Sequence, residues 1–249
     1  GGGSIGMLYG ANAKPDGYTV TAVTVELTTL PHTGTGGGLE PEMFKPILMF
    51  NSSCSAITVK ADAPWNTLDE FLDYAKTNDV QIGNSGIGAI WHLAAAGLAQ
   101  KAGVDFTYVP FEGSTPAITS LLGGHIDAIS VSYSEVIQQV QAGELKVLAV
   151  LADERLPYAS EIPTAKELGY DVSIGTWRGL SVPKDTPDEV VGKLYEIFSK
   201  AVEKESFKNF MGETNNDIDI LNGEEFNKKI AEDYALFGTL IESLGLDKQ

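Results

Sequence analysis

The chain has 249 residues, of which 43% are hydrophobic and 20% are charged, and it carries a net charge of −17 at pH 7. A chain of this length and composition is globular and can bury a large core, in one α/β domain or in two domains of modest size. The acidic balance argues against a nucleic-acid partner and against binding to anionic lipid, because both need a basic surface.

Three further features restrict the class of protein. Cys54 is the only cysteine, so the sequence excludes an intramolecular disulfide and a cysteine-based metal site. No run approaches about 18 uninterrupted apolar residues, the length that a membrane-spanning helix needs. The first residues, Gly1-Gly2-Gly3-Ser4, have no charged and apolar leader, so we expect no export signal in this sequence.

Strands and helices are predicted to alternate along the chain. Residues 18–27 are rich in β-branched side chains and predict a strand, and residues 45–49 and 56–60 are extended as well. Thr67 followed by Glu70 is a capping box, which predicts the start of a helix. The later predicted strands are residues 80–83, 106–110, 125–131, 145–151 and 173–182, and the later predicted helices are residues 89–101, 116–122, 134–142, 188–204 and 224–244.

This alternation predicts an α/β fold with mainly parallel sheets. In a parallel sheet every strand-to-helix loop emerges at the carboxyl edge, where ligands bind. Residues 1–6 predict a loop that enters a helix with no strand before it. The function is therefore expected in the loops that follow the strands.

The loop at residues 84–89 is the most informative of these. A strand ends, Gly86 and Gly88 let the backbone approach a ligand, and a helix begins. Free amide groups and the positive end of the helix dipole then face outward, which suits a carboxylate or a phosphate. Glycine in a tight turn before a helix also serves the turn alone, so this motif by itself leaves both interpretations open.

Two later loops repeat the arrangement. Either Ser114 or Thr115 is expected to cap the next helix, unless its hydroxyl points at a ligand instead. The third loop supplies three hydroxyls and a carboxylate that suit a polar solute, namely Ser130, Ser132, Ser134 and Glu135. Ser134 is expected to cap the helix that follows.

His92 and two tryptophans are the other candidates. His92 lies one helical turn past the glycine loop, but no G-x-S-x-G elbow, H-E-x-x-H pair or second histidine at ligand spacing accompanies it. We therefore expect a hydrogen-bonded structural histidine, with no metal site and no cofactor. Trp91 and Trp177 are expected to be core or hinge residues, although an aromatic face in a cleft can also close over a ligand.

Several stretches together resemble the solute-binding proteins of tripartite tricarboxylate transporters. They follow the order of that family over nearly the whole chain, and the set is specific although no single stretch is decisive. The stretches are residues 14–19 (KPDGYT), 84–94 (NSGIGAIWHLA), 109–113 (VPFEG), 121–127 (LLGGHID), 142–150 (AGELKVLAV), 162–169 (IPTAKELG) and 176–180 (TWRGL).

The resemblance implies a two-domain, Venus-flytrap fold of the type II periplasmic-binding kind, with the solute between the domains. We assign residues 1–55 and 178–249 to domain I and residues 56–177 to domain II. Relatives carry an earlier strand, a glycine-containing loop and a helix, which this sequence is expected to lack. The pocket residues that the resemblance implies are Thr24, Ser85, Gly86, Gly88, Ala89, Ser114, Thr115 and Ser132.

The sequence features that bear on the charge of the ligand point in two directions. The helix starts favour an anion, whereas Glu26 and Glu135 in the same cleft would repel a multiply charged one. The alternative is that at least one of these carboxylates is solvated at the surface or is neutralised by Arg178. Residues 23–26 (VTVE) also replace a Gly-Thr-Ser-Gly run that many relatives have. We therefore hypothesise a ligand with one carboxylate at the glycine loop and a less acidic or amino-bearing far end. Side chains that complete the candidate ligand-binding set are Glu26, Trp91, His92, Glu135 and Trp177.

The sequence is interpreted as an extracytoplasmic solute-binding protein, periplasmic or membrane-anchored, that closes around a small organic acid. We expect a monomer that catalyses no reaction and delivers its solute to the permease subunits of a transporter. One alternative is a hydrolase or transferase that uses a loop serine with His92, and another is a sensor module that presents the ligand to a receptor. A serine hydroxyl within hydrogen-bond reach of His92, backed by a carboxylate, would favour the enzyme.

Overall fold

The computed structural model describes residues 3–213 and 216–247. The chain forms two compact units, of which unit 1 contains the residues up to Ser52 and again from Thr176, and unit 2 contains Ser53–Gly175. Gly1 and Gly2 of the predicted N-terminal loop lie outside the described residues. The next residue, Gly3, occupies the N-cap position of the first helix.

Strands and helices alternate as the sequence predicts, which confirms the α/β class. The elements are α1 (Ser4–Ala11), β1 (Thr21–Thr24), α2 (Leu30–Thr33), β2 (Phe44–Lys60), α3 (Leu68–Ala75), β3 (Gln81–Asn84), α4 (Ile90–Ala102), β4 (Thr107–Pro110), α5 (Ser114–Leu122), β5 (Ala128–Ser132), α6 (Tyr133–Gln141), β6 (Leu145–Leu151), β7 (Gly175–Pro183), α7 (Asp188–Val202), α8 (Glu205–Glu213), β8 (Asp217–Asn222) and α9 (Gly223–Ser243). The unit boundaries fall within β2 and β7, so these two strands carry the chain from one unit to the other.

The sheet of unit 2 places three strand ends at one edge. β3 lies between β4 and β5 and is parallel to both. The second half of β2 lies between β5 and β6 and is antiparallel to both. Since β3, β4 and β5 point in the same direction, the loops that follow them leave the sheet at the same edge.

The prediction of mainly parallel sheets is wrong. In unit 1, β1 pairs antiparallel with β7, and β2 pairs antiparallel with β8. The two runs at residues 45–49 and 56–60 belong to one strand of 17 residues, β2. The hydrophobic pattern locates the strands, but it does not show that β2 enters unit 2 against the direction of its neighbours.

Local sequence explains where the helices of unit 2 begin and end. The Thr67 side chain accepts the Glu70 amide at 3.1 Å and so caps α3, as predicted. Helix α4 ends at Ala102. The C-cap residue that follows, Gly103, has a φ of 65°, in the left-handed region that glycine adopts without strain. Every residue from 90 to 99 of α4 is buried, and its alanines let the helix pack closely against β5 and β3.

Unit 1 departs from the predicted elements in three places. The strand expected at residues 18–27 ends at Thr24, because Val25–Thr28 turns into a 3₁₀ helix. Helix α8 and strand β8 occupy a polar stretch in which no element was predicted. Pro187 is at the N-cap position of α7, and the Thr186 hydroxyl is buried with no partner in the described part of the chain.

Two kinds of feature are absent from the described residues. No helix among residues 3–213 and 216–247 is long and apolar enough to cross a bilayer. Over the same ranges, no group of three or more His, Cys, Asp and Glu side chains is placed to hold a metal ion.

Candidate functional site

The loops after β3 and β4 meet at the carboxyl edge of the unit 2 sheet. The Phe111 amide donates to the Asn84 carbonyl at 3.0 Å and joins the two strand ends. A side chain added at Gly86 would lie 3.7 Å from the Phe111 carbonyl oxygen. Ser114 follows three residues later at the start of α5. The glycine loop and the second loop therefore lie side by side, as predicted; that both line an interdomain cleft stays a prediction.

Internal hydrogen bonds hold the glycine loop. The Gly86 amide donates to Asn84 Oδ1 at 2.9 Å, and the Gly88 amide donates to His92 Nδ1 at 3.0 Å. The Ala89 amide donates to the Gly86 carbonyl at 3.2 Å. Gly86 and Gly88 have φ angles of 128° and 73°, which other residues rarely adopt. The glycines thus serve the turn, and their amides are already used inside it.

The donors available to a ligand are neighbours of those that we expected. The Ser85 and Ile87 amides have no hydrogen-bond partner within the described ranges. Ala89 is the N-cap residue of α4, and it has no side-chain acceptor for the amides of the first turn. These amides and the positive end of the helix dipole face the same edge of the sheet. Half-buried Ser85 and Ala89 thus stay candidates for the site, whereas the amides of Gly86 and Gly88 are already used inside the loop.

His92 supports the loop from inside the helix. The side chain is 5% exposed, and its ring packs against Tyr108 in a T-shaped arrangement with the centroids 4.5 Å apart. Burial lowers the pKa of His92, so the imidazole is neutral. Its Nε2 atom is buried without a partner in the described chain, so no described serine hydroxyl lies within reach. These contacts fit the structural interpretation of His92 and give no support to a serine–histidine pair.

A buried pair of serines fixes the first turn of α4. Ser130 Oγ donates to the Trp91 carbonyl at 2.9 Å and lies 2.8 Å from Ser55 Oγ. Ser130 is completely buried, and Trp91 is 6% exposed. Ser130 therefore positions the helix instead of facing a solute, and Trp91 is a core residue.

The second loop contributes another helix start without a side-chain cap. Gly113, with a φ of 115°, occupies the N-cap position of α5, and Ser114 and Thr115 are the first two helical residues. The expectation that one of them caps α5 is wrong, because both residues lie after the N-cap position, within the helix itself. Ser114 is half-buried and Thr115 is exposed, so both hydroxyls stay candidates for a ligand.

The third loop is used to cap α6. Ser132 is the N-cap residue, and its amide and hydroxyl both donate to Glu135 Oε2, at 2.9 and 2.7 Å. Ser134 is therefore not the cap that we expected, and its hydroxyl lies 3.0 Å from Ser132 Oγ. Since Glu135 is exposed and occupied by the cap, its charge gives no reason to expect an amino group on the ligand.

A polar cluster at the end of β1 is the candidate surface of unit 1. The Thr24 hydroxyl donates to Glu26, and Thr24 pairs in register with Arg178 on β7. Arg178 donates to the side-chain oxygen of Asn51. Asn51 is 1% exposed, and its side-chain nitrogen donates to the Asp217 carbonyl at 2.7 Å. The sequence does not single out Asn51, because this residue lies between two runs that predict separate strands.

Trp177 belongs to the core of unit 1. It is 1% exposed and meets Phe226 edge to face, with the ring centroids 5.0 Å apart. Its Nε1 donates to Asp233 Oδ2 at 2.7 Å. Burial raises the pKa of Asp233, and Lys229 opposes that rise. Of the two interpretations, these contacts fit the core residue and not an aromatic face over a ligand.

Comparison with known proteins identifies the relatives of this chain. The family profile described as "Tripartite tricarboxylate transporter family receptor" matches residues 1–246. A TctC solute-binding protein from Polaromonas, solved without a ligand, is 44% identical and superposes with a TM-score of 0.91. The match covers 97% of this chain and 83% of that one.

Two structures that contain a ligand share the fold at lower identity. A Rhodopseudomonas palustris protein solved with adipate has a TM-score of 0.81 at 23% identity, over 98% of this chain and 83% of its own. MatC from the same organism, solved with bound malate, has a TM-score of 0.73 at 23% identity, over 96% of this chain and 84% of its own. These likenesses confirm the periplasmic-binding-protein fold.

Proposed function

Because the chain belongs to the tripartite tricarboxylate transporter family of receptors, we propose that it binds a small organic acid outside the cytoplasm and passes it to a membrane permease. Two of the solved structures that share its fold contain malate and adipate, which are both small dicarboxylates. In this proposal the protein acts as a monomer that catalyses no reaction and needs no cofactor.

One contrast among the helices of unit 2 carries the proposal. Helices α3 and α6 have Thr67 and Ser132 at their N-cap positions and acidic residues in the first turn. Helices α4 and α5 have Ala89 and Gly113 there, with no side-chain cap and no acidic residue in the first turn. The two helices that start beside the joined loops are thus the two that leave their positive ends unneutralised. An anion at this edge would satisfy amides that have no acceptor among residues 3–213 and 216–247.

The ligand contacts proposed in unit 2 follow from this contrast. The carboxylate is bound by the first-turn amides of α4 and by Ser85, and the start of α5 adds its own amides and the Ser114 and Thr115 hydroxyls. In unit 1 we propose contacts from Thr24 and Arg178. Glu26 already accepts a hydrogen bond from Thr24, and an arginine offers more donors than the bond to Asn51 uses. These groups favour a carboxylate and do not require an amino group.

The enzyme alternative loses its geometric basis at His92. A general base must lie within hydrogen-bond reach of its nucleophile. Here Nδ1 is occupied by the Gly88 amide, and Nε2 is buried without a partner among the described residues. A sensor module would use the same binding site. It would differ from a transport protein only in the partner protein to which it presents the ligand.

A thermal-shift screen tests the proposal. Malate, adipate, succinate, citrate, glutamate and acetate are each added at 1 mM or more. A ligand that binds only the folded state raises the melting temperature by an amount that grows with the logarithm of its concentration over its Kd. We expect a rise with at least one dicarboxylate and none with the matching diamine or the uncharged diamide. A screen in which no carboxylate shifts the melting temperature, or in which the diamide does so equally, contradicts the proposal.

A further inference from the structure

Two side chains hold the glycine loop in shape. Asn84 Oδ1 accepts the Gly86 amide, and His92 Nδ1 accepts the Gly88 amide at 3.0 Å. Both glycines have positive φ, and glycine has more conformational freedom to lose than any other residue. The loop therefore depends on these two acceptors to keep the one conformation in which α4 begins at Ile90.

The hydrogen bond from Gly88 fixes where the proton of His92 lies. A backbone N–H can only donate, so Nδ1 carries no proton and the neutral ring is protonated at Nε2. A second proton would have to go on Nδ1. The acceptor would then become a donor that faces another donor, and the bond to Gly88 would be lost.

The surroundings of His92 set the pH range in which its Nδ1 atom is protonated. The Tyr108 ring on β4 is the titratable group packed against it, and burial together with nearby Asp105 raises the pKa of Tyr108 to about 12. Tyr108 therefore stays neutral, and burial is the cause that acts on His92 and lowers its pKa below 6.5. Protonation of His92 is thus confined to acidic solution.

We propose that His92 is a positioning residue that holds the glycine loop when neutral and releases it when protonated, so that the receptor binds its carboxylate at neutral pH and weakens on acidification. The part of this inference that concerns the ligand rests on the proposed function, whereas the part that concerns the loop does not.

The direction of the pH dependence follows from linkage. The folded state disfavours a proton that the unfolded chain, or an opened loop, binds below pH 6.5. The stability of the closed loop is therefore complete above pH 6.5. It is lost as the pH falls from 6.5 through the lower pKa of the folded state.

The shape of the loop can be measured without any ligand. Amide exchange of Gly88, corrected for its intrinsic rate, is followed by NMR at pH 8 and pH 5 in the native protein, His92→Asn and His92→Leu. Asparagine keeps an acceptor near the position of Nδ1 and does not titrate. Loss of one hydrogen bond predicts that protection of the native protein falls about 3- to 10-fold between the two pH values. We expect His92→Asn to show no such fall and His92→Leu to be unprotected at both.

Two outcomes overturn the inference. One is a native protein and a His92→Asn variant with the same pH profile. The other needs no variant: nitrogen NMR of the native imidazole at pH 8 would show a proton on Nδ1 instead of Nε2. If either substitution prevents folding, the tautomer measurement still decides.

Calorimetry with malate and adipate tests the consequence for binding. The carboxylates of the ligand also titrate near pH 5, but they do so equally for every variant, so His92→Asn is the matched control. We expect the ratio of Kd at pH 5 to Kd at pH 8 to be about 3- to 10-fold larger for the native protein than for His92→Asn. Equal ratios contradict the inference. If no carboxylate binds the native protein while Gly88 shows the expected profile, the proposed function fails and the role of His92 stands.

Discussion

Replacing Ala89 with aspartate tests whether the first turn of α4 receives a carboxylate. Ala89 has φ −71° and ψ 160°, the extended conformation of an N-cap residue, and no side chain that can accept. Aspartate is among the preferred residues at this position. The variant would place a carboxylate of the protein itself on the amides that we assign to the ligand.

The expected effects on stability and on binding have opposite signs. A good N-cap stabilises by about 0.5–2 kcal/mol, and for a chain of this size 1 kcal/mol raises the melting temperature by roughly 2–4 °C. Two carboxylates about 4 Å apart repel by roughly 4 kcal/mol at an effective dielectric constant of about 20. We therefore expect Ala89→Asp to be slightly more stable than the native protein and to bind dicarboxylates at least about 100-fold more weakly.

Scanning calorimetry and titration calorimetry on the same samples give both numbers, and Ala89→Asn is the matched control. Asparagine caps as well as aspartate but brings no charge, so it should stabilise equally and weaken binding far less. If Ala89→Asp binds like the native protein, the carboxylate lies elsewhere. If the two variants weaken binding equally, the added side chain acts by filling the space at the helix start and not through its charge.

Three further predictions concern other parts of the chain. Ser130→Ala should destabilise by about 1–3 kcal/mol in urea unfolding, because the Trp91 carbonyl loses its buried donor; an unchanged midpoint would contradict the anchoring role. Gly175→Ala should lower the melting temperature, since its new methyl group would lie 2.3 Å from the Ser53 carbonyl oxygen and overpacking costs about 1–3 kcal/mol; an unaltered melting temperature would show that β7 can shift. Glu26→Gln should change Kd for glutarate and for glutamate by the same factor, and a selective loss for glutamate would restore the amino-bearing ligand.

Much of unit 2 could be predicted because its signals are local. The Thr67 cap, the termination of α4 at Gly103 and the position of β6 all depend on neighbours in sequence. The direction of strand pairing does not, which is why the run of β2 through both units was missed. Helix α8 and strand β8 were missed for a related reason, since a polar stretch acquires its structure from what it packs against.

The structure places the predicted glycine loop and the second loop side by side, and it shows which of their amides are already used inside the fold. A glycine-rich turn before a helix indicates where amides cluster, but only coordinates show that the amides of Gly86 and Gly88 are used by Asn84 and His92. Similarly, Ser132 and Glu135 attract attention as polar groups, although they satisfy each other. A polar residue in sequence is a candidate only until its partner is known.

The residues that indicate a candidate anion site in this chain are those whose side chains cannot accept a hydrogen bond at the N-cap position of a helix. An ordinary helix start brings its own acceptor, as α3 does with Thr67 and α6 does with Glu135, which accepts the Ser132 amide. Alanine and glycine at the same position leave the amides to water or to a ligand, and the stability that the missing cap costs is recovered when an anion binds. Within unit 2 the side-chain cap is missing at α4 and α5, which follow adjacent strands at one sheet edge. We therefore propose that helix starts of this kind, where the strands before them are neighbours and parallel, are candidate anion sites.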